Sequence, residues 1–148
     1  MSRQQTTLLF EVPVPGPLRQ NARSFAKLLE SELAPGRAFC CLITSDKELR
    51  RLNREFRNQD YATDVLSFPF PDSGAFIGDI AISLAKANQQ AAEHGHSVAH
   101  EVQILMLHGL LHLLGMDHEA DGGQMARTER KWRETLGLPT GLIERVST

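Results

Sequence analysis

The feature that most constrains this chain is a helix with no polar side. From about residue 98 to 114 the sequence carries Val102, Ile104, Leu105, Met106, Leu107, Leu110, Leu111, Leu113 and Leu114, apolar residues at nearly every angular position. A surface helix keeps one face for water, so one that is apolar all round must be largely buried. The stretch also holds Glu101, His108 and His112, and it falls short of the roughly 20 consecutive apolar residues that cross a bilayer. It is the central helix of a folded domain, and the rest of the chain must cover it.

The remaining sequence supplies that cover. Thr6 to Val12 reads as a strand closed by the Pro13–Pro17 breaker, and Leu18 to Leu33 as a helix with Ala22, Phe25, Leu28, Leu29 and Leu33 on one stripe. Ala38 to Thr44 is a short apolar run between turn signals, which predicts a buried strand. Ser45 or Asp46 caps a second helix to about Phe56, with Leu49, Leu52 and Phe56 inward. Thr63 to Phe68 and Phe76 to Ser83 are two more strands, with Pro69–Gly74 as the loop of a hairpin. Helices over 84–93, 98–114 and 124–136 complete the chain, the last stopped by Gly137 and Pro139. Strands first and helices later predict an α+β fold: one domain spanning 1–148, with a mixed sheet of about four strands packed on helices. A three-layer α/β arrangement fits the same pattern, and the strand order is open.

At 148 residues and 41% hydrophobic content the chain can build a core without disulfides. Cys40 and Cys41 are adjacent, so as strand neighbours they point apart and serve as packing residues. A net charge of −2 excludes a uniformly basic nucleic-acid coat, though not a local basic patch. The polar start Met1–Gln5 does not resemble a secretory leader, and a cytoplasmic protein with no membrane partner is expected.

Chemistry concentrates in His108-Gly109-Leu110-Leu111-His112-Leu113-Leu114-Gly115-Met116-Asp117-His118. Residues four apart on a helix lie about 40° apart around the axis and roughly 6 Å along it. His108 and His112 can therefore aim ring nitrogens at one cation. His118 would lie about 15 Å beyond His108 if the helix ran on. Gly115 offers the exit, because glycine readily takes the left-handed conformation that ends helices. The chain can then fold back and bring His118 to the same ion. Three imidazoles with a fourth position open make a catalytic zinc site, and one Zn2+ per chain is expected. Nickel and copper also suit imidazole.

The same three offsets, with a Gly at the turn, occur in the metzincin zinc proteases. Their catalytic Glu follows the first His, where this chain has Gly109. Glycine cannot abstract a proton. The eleven residues from His108 to His118 also resemble the hallmark of the bacterial YbeY endoribonucleases, or rRNA maturation factors. Two further blocks carry that resemblance: Leu52-Asn53 with Phe56-Arg57 and Thr63-Asp64-Val65-Leu66-Ser67-Phe68-Pro69, then Gly78-Asp79-Ile80-Ala81-Ile82-Ser83. It covers about residues 40–120. Ala62 stands where the family usually has Pro, and Met116 where it often has Tyr. The resemblance implies a single-strand-specific, metal-dependent endoribonuclease in ribosomal RNA maturation and ribosome quality control. Implied partners are single-stranded precursor rRNA, the ribosome and its assembly proteins. Implied site residues are His108, His112 and His118 as zinc ligands and Arg57 in the cleft, all four catalytic.

Other residues admit two readings. Arg50, Arg54 and Arg57 form either a phosphate-binding ridge or a solvated face paired with Glu48 and Glu55. Glu101, about 10 Å from His108 along one face, either orients a ligand or complements the helix dipole after Ser97. Asp117 caps the turn or holds an imidazole. His94, His96 and His100 look like exposed residues at a polar helix start. Asp64 and Ser67 would fall on opposite faces of their strand, so only one reaches a cleft easily.

The general base is not identifiable, so water and the RNA 2′-hydroxyl both remain as nucleophiles. A zinc peptidase and a ribosome-associated binding protein with a structural metal are the alternatives.

Overall fold

Strand and helix positions follow the apolar pattern and its punctuation. The computed structural model describes residues 5–70, 74–116 and 122–139. In chain order they form β1 (Thr7–Phe10), α1 (Gly16–Leu33), β2 (Ala38–Thr44), α2 (Asp46–Arg57), β3 (Val65–Pro69), β4 (Phe76–Ser83), α3 (Leu84–His94), α4 (Val98–Leu113) and α5 (Gln124–Leu136). The strands make one mixed sheet in the order β1-β2-β4-β3, an α+β arrangement as expected. β2 runs parallel to β1 and β4, and β3 is antiparallel to β4, closing the predicted hairpin.

Alternation along the strands sends side chains to two cores. Phe39, Cys41, Ile43, Ile80 and Ile82 join α1 and α4 in the larger one. Leu66 and Ala81 face the other way, onto Leu49 of α2. Helix α4 touches the sheet on β3 and β4 and is flanked by α1, α3 and α5. That enclosure is why its sequence has no polar side, each buried Leu, Ile or Met contributing about 1.5–3 kcal/mol. Among the described residues, no helix is long and apolar enough to cross a membrane.

Two inward assignments fail. Leu28 is 43% and Phe56 62% exposed. Helix α1 presents Ala22, Phe25, Ala26 and Leu29 instead, a narrower stripe suited to close approach. Phe56 lies near the end of α2, largely open to solvent, with its ring in an edge-to-face contact with Phe68 at 5.6 Å between centroids.

Caps fix the helices that matter for the site. Ser45 and Ser97 accept hydrogen bonds from Glu48 N–H and His100 N–H, each at 3.1 Å, worth about 1 kcal/mol each. At the other end of α4, Gly115 N–H donates to His112 O at 3.0 Å and Met116 N–H to Leu111 O at 3.1 Å. With Gly115 at φ +94, this paired pattern is a Schellman motif, which stops the helix where the sequence predicts.

Candidate active site

The last turn and a half of α4 places its imidazoles at the floor of a cleft of about 530 Å³, which runs past β3 to the end of α2. His108 and His112 both border it, as do Arg57, Tyr61, Asp64 and Ser67. β3 is an edge strand, paired with β4 and no other strand among the described residues, and its residues line this space.

The two imidazoles converge. His108 Nε2 and His112 Nε2 are 3.2 Å apart, with the rings at 77°. Two nitrogens bound tetrahedrally to one zinc at about 2.0–2.1 Å would stand roughly 3.3 Å apart. The separation of the two nitrogens matches what one shared zinc ion would require. His118 and Asp117 lie outside the described residues. Two histidines alone do not make a cluster of three, and among the described residues no group of three or more His, Cys, Asp or Glu gathers as a metal site.

A carboxylate that sequence spacing did not single out completes the geometry on the far side. Glu129, on α5 and 1% exposed, places Oε1 at 3.3 Å from His108 Nδ1. Its signal in the sequence is an interruption: Met125, Glu129, Trp132 and Leu136 lie on one helical stripe, and only Glu129 is polar. Glu101 stands in the first turn of α4 after the Ser97 cap, where its charge complements the helix dipole, the second of its two expected readings. It is fully buried and pairs with His96, Nε2 to Oε1 at 2.6 Å. His96 is therefore not an exposed residue, because the turn at Gly95 folds it back over the start of α4. His94 and His100 are exposed, as predicted.

Gly109 has a packing reason. A methyl group there would lie 2.8 Å from Ile80 Cγ2 and 3.2 Å from Ser67 Oγ. The Ser67 hydroxyl donates to Gly109 O at 2.9 Å. The helix rides so close to β4 and β3 that even a methyl group here would press on Ile80, which disfavours the larger carboxylate side chain of the protease pattern.

The arginine ridge separates into paired and open members. Arg50 binds Asp60 at 2.8 Å with Arg54 at 3.9 Å from the same oxygen, while Arg51, not Arg50 or Arg54, takes Glu48 and Glu55. The hydrogen bond from Arg50 holds the Asp60 carboxyl below the usual carboxylate range. Arg57 has no ion pair among the described residues and lines the cleft. The loop that follows it is held by Asn53, buried on α2, whose side-chain amide donates to Tyr61 O at 3.0 Å and whose backbone carbonyl accepts from Gln59 N–H at 3.2 Å. Asn58 turns the chain between them at φ 59, a conformation Asn tolerates better than most residues.

Asp64 and Ser67 both border the cleft, contrary to the expectation that one would be excluded. Asp64 precedes β3, outside its alternation, and acts as a knot: it accepts from Val65 N–H at 2.8 Å and Gln90 Nε2 at 3.1 Å. The cysteines are free thiols, Cys41 buried and Cys40 partly so.

The sequence matches the model of the endoribonuclease YbeY family over residues 16–137. This chain belongs to the YbeY family. It is 59% identical over 135 residues to the endoribonuclease YbeY of Solibacter usitatus (strain Ellin6076), with 90% of each chain covered. The endoribonuclease YbeY of Helicobacter pylori (strain Shi470) is 38% identical over 140 residues, covering 93% of this chain and 98% of that one. The solution structure of TM1509 from Thermotoga maritima shares the fold at a TM-score of 0.61 and 24% identity, covering 89% and 90% of the two chains. Within this YbeY fold the convergent imidazoles and Arg57 face one cavity.

Proposed function

We propose that this YbeY family member is a zinc-dependent endoribonuclease that cleaves single-stranded RNA, acting on precursor rRNA in ribosome maturation and quality control. The observation that carries the proposal is the 3.2 Å approach of His108 Nε2 and His112 Nε2 in a cleft shared with Arg57. The name endoribonuclease on relatives such as that of Solibacter usitatus supports it.

His108 and His112 would hold the ion from α4, and His118 joins them on the strength of the sequence alone. Zinc, when bound, supplies Lewis-acid stabilisation to a phosphoryl oxygen and acidifies a water molecule. Arg57 offers planar, bidentate N–H donors to the remaining phosphate oxygens as charge develops on them. Tyr61, 55% exposed at the cleft, presents a ring on which an unpaired base can stack. A base locked in a duplex cannot reach such a ring, which favours single strands. No residue can take the role of a base at Gly109, so either water or the RNA 2′-hydroxyl attacks.

The test is cleavage of matched single-stranded and duplex RNA with and without chelator, alongside metal analysis. His112→Ala is expected to lose both zinc and cleavage while remaining folded. Full activity of rigorously metal-free protein would overturn the proposal. A 2′,3′-cyclic phosphate on the product would identify attack by the 2′-hydroxyl. The peptidase alternative predicts peptide hydrolysis in the same preparation, and Gly109 argues against it.

A further inference from the structure

We infer that Glu129 is the positioning residue of the metal site: by holding His108 in the Nδ1–H tautomer it keeps the Nε2 lone pair aimed at the ion. The inference rests on the proposal that His108 is a metal ligand. It concerns how the ligand is prepared rather than what it binds.

The geometry runs through His108 from one side to the other. Glu129 Oε1 lies 3.3 Å from Nδ1, and His112 Nε2 lies 3.2 Å from Nε2 on the opposite edge of the ring. An ionised carboxylate only accepts hydrogen bonds. The contact at Nδ1 is a hydrogen bond when Nδ1 carries the proton, and His108 in that tautomer presents an unprotonated Nε2 to the cleft. The alternative tautomer would set a lone pair against the carboxylate and a proton where the ion belongs. Both partners are buried, His108 at 7% and Glu129 at 1% exposure, so water cannot easily substitute for the carboxylate. A buried Glu on an otherwise apolar stripe costs several kcal/mol without compensation, and a contact with an imidazole gives the fold a reason to retain it.

The arrangement also makes α5 part of the site. The helix contributes no group to the cleft, yet Met125 and Glu129 seat it against α4. Removing such a partner of a metal-bound His typically lowers metal affinity by 10–100-fold.

The experiment measures zinc affinity by chelator competition for the unmutated protein, Glu129→Gln, Glu129→Ala and His108→Ala, with thermal unfolding of each metal-free protein. Glu129→Ala is expected to bind zinc about 10–100-fold more weakly, and Glu129→Gln to recover most of that loss, because its amide oxygen still accepts from Nδ1–H. Equal zinc affinity in Glu129→Ala and the unmutated protein would overturn the inference. Equal affinity in His108→Ala would instead overturn the ligand assignment beneath it. Should Glu129→Ala fail to fold, nitrogen NMR of the unmutated metal-free protein decides: a His108 ring protonated at Nε2 when neutral would refute the assigned tautomer, and protonation at Nδ1 supports it.

Discussion

Replacing Gly109 with Ala sets two effects of similar size against each other. Alanine is the better helix former by roughly 0.8–1.0 kcal/mol, so in an open helix the change would stabilise. Here the new methyl would stand 2.8 Å from Ile80 Cγ2 and 3.2 Å from both Ile80 Cδ1 and Ser67 Oγ. Cγ2 sits on the branched Cβ of a fully buried strand residue, and β-branched side chains have little freedom to turn away. Forcing such an overlap typically costs 1–3 kcal/mol. The net expectation is a destabilisation of up to about 2 kcal/mol, the difference of these two terms. Denaturant unfolding of metal-free protein measures it without the stabilisation that a bound ligand would add. The decisive comparison uses Ile80→Ala, which removes both contacting carbons at a cost of about 2–5 kcal/mol. In that background Gly109→Ala is expected to change sign and stabilise by up to about 1 kcal/mol. Stabilisation by Gly109→Ala in the unmutated protein would show that α4 has room to spare. The packing explanation for a glycine beside the first histidine would then be wrong.

Arg57→Ala is expected to lower RNA cleavage by about 10²–10³-fold, the usual cost of losing a donor to developing charge, with Arg57→Lys recovering only part; unchanged turnover would remove Arg57 from the site. Tyr61→Ala is expected to weaken binding of single-stranded RNA by about 1–3 kcal/mol while leaving duplex binding unaffected, read by titration with a labelled oligonucleotide. Cys41 is expected to resist alkylation until the protein unfolds, because burial raises its thiol pKa far above the ordinary value. A group raised on folding gives stability that is present below its unfolded pKa and lost as pH rises toward the folded one. For Cys41 the unfolding free energy should therefore fall above about pH 8.5 by up to about 1.4 kcal/mol per pH unit, a contribution that Cys41→Ala removes while that of Cys40, whose thiol pKa burial also raises, remains.

Much of this site is legible in sequence because it is built from one helix. The spacing of His108 and His112, the all-round apolarity of α4 and the exit at Gly115 are local properties, and the structure bears out each of them: the two rings converge, the helix is enclosed, and the Schellman motif stops it. Failures begin where the partner comes from elsewhere. Phe56 continues the apolar stripe of α2, but periodicity does not reveal that its ring stays largely open to solvent. Arg50 and Arg54 could be paired on paper with Glu48 and Glu55, yet their carboxylate is Asp60 from the loop after the helix. The carboxylates are the clearest case. Counting along α4 brings Glu101 toward His108, whereas Glu101 turns to His96 across a loop, and the carboxylate at His108 arrives from α5, 21 residues further on. A buried charge must find a partner, but spacing within one helix can nominate only partners on that helix. The better sequence signal is a charge where an apolar stripe demands a hydrophobe. Glu101 among the residues of α4 and Glu129 between Met125 and Trp132 are two such interruptions. Each of them meets a histidine in the folded chain.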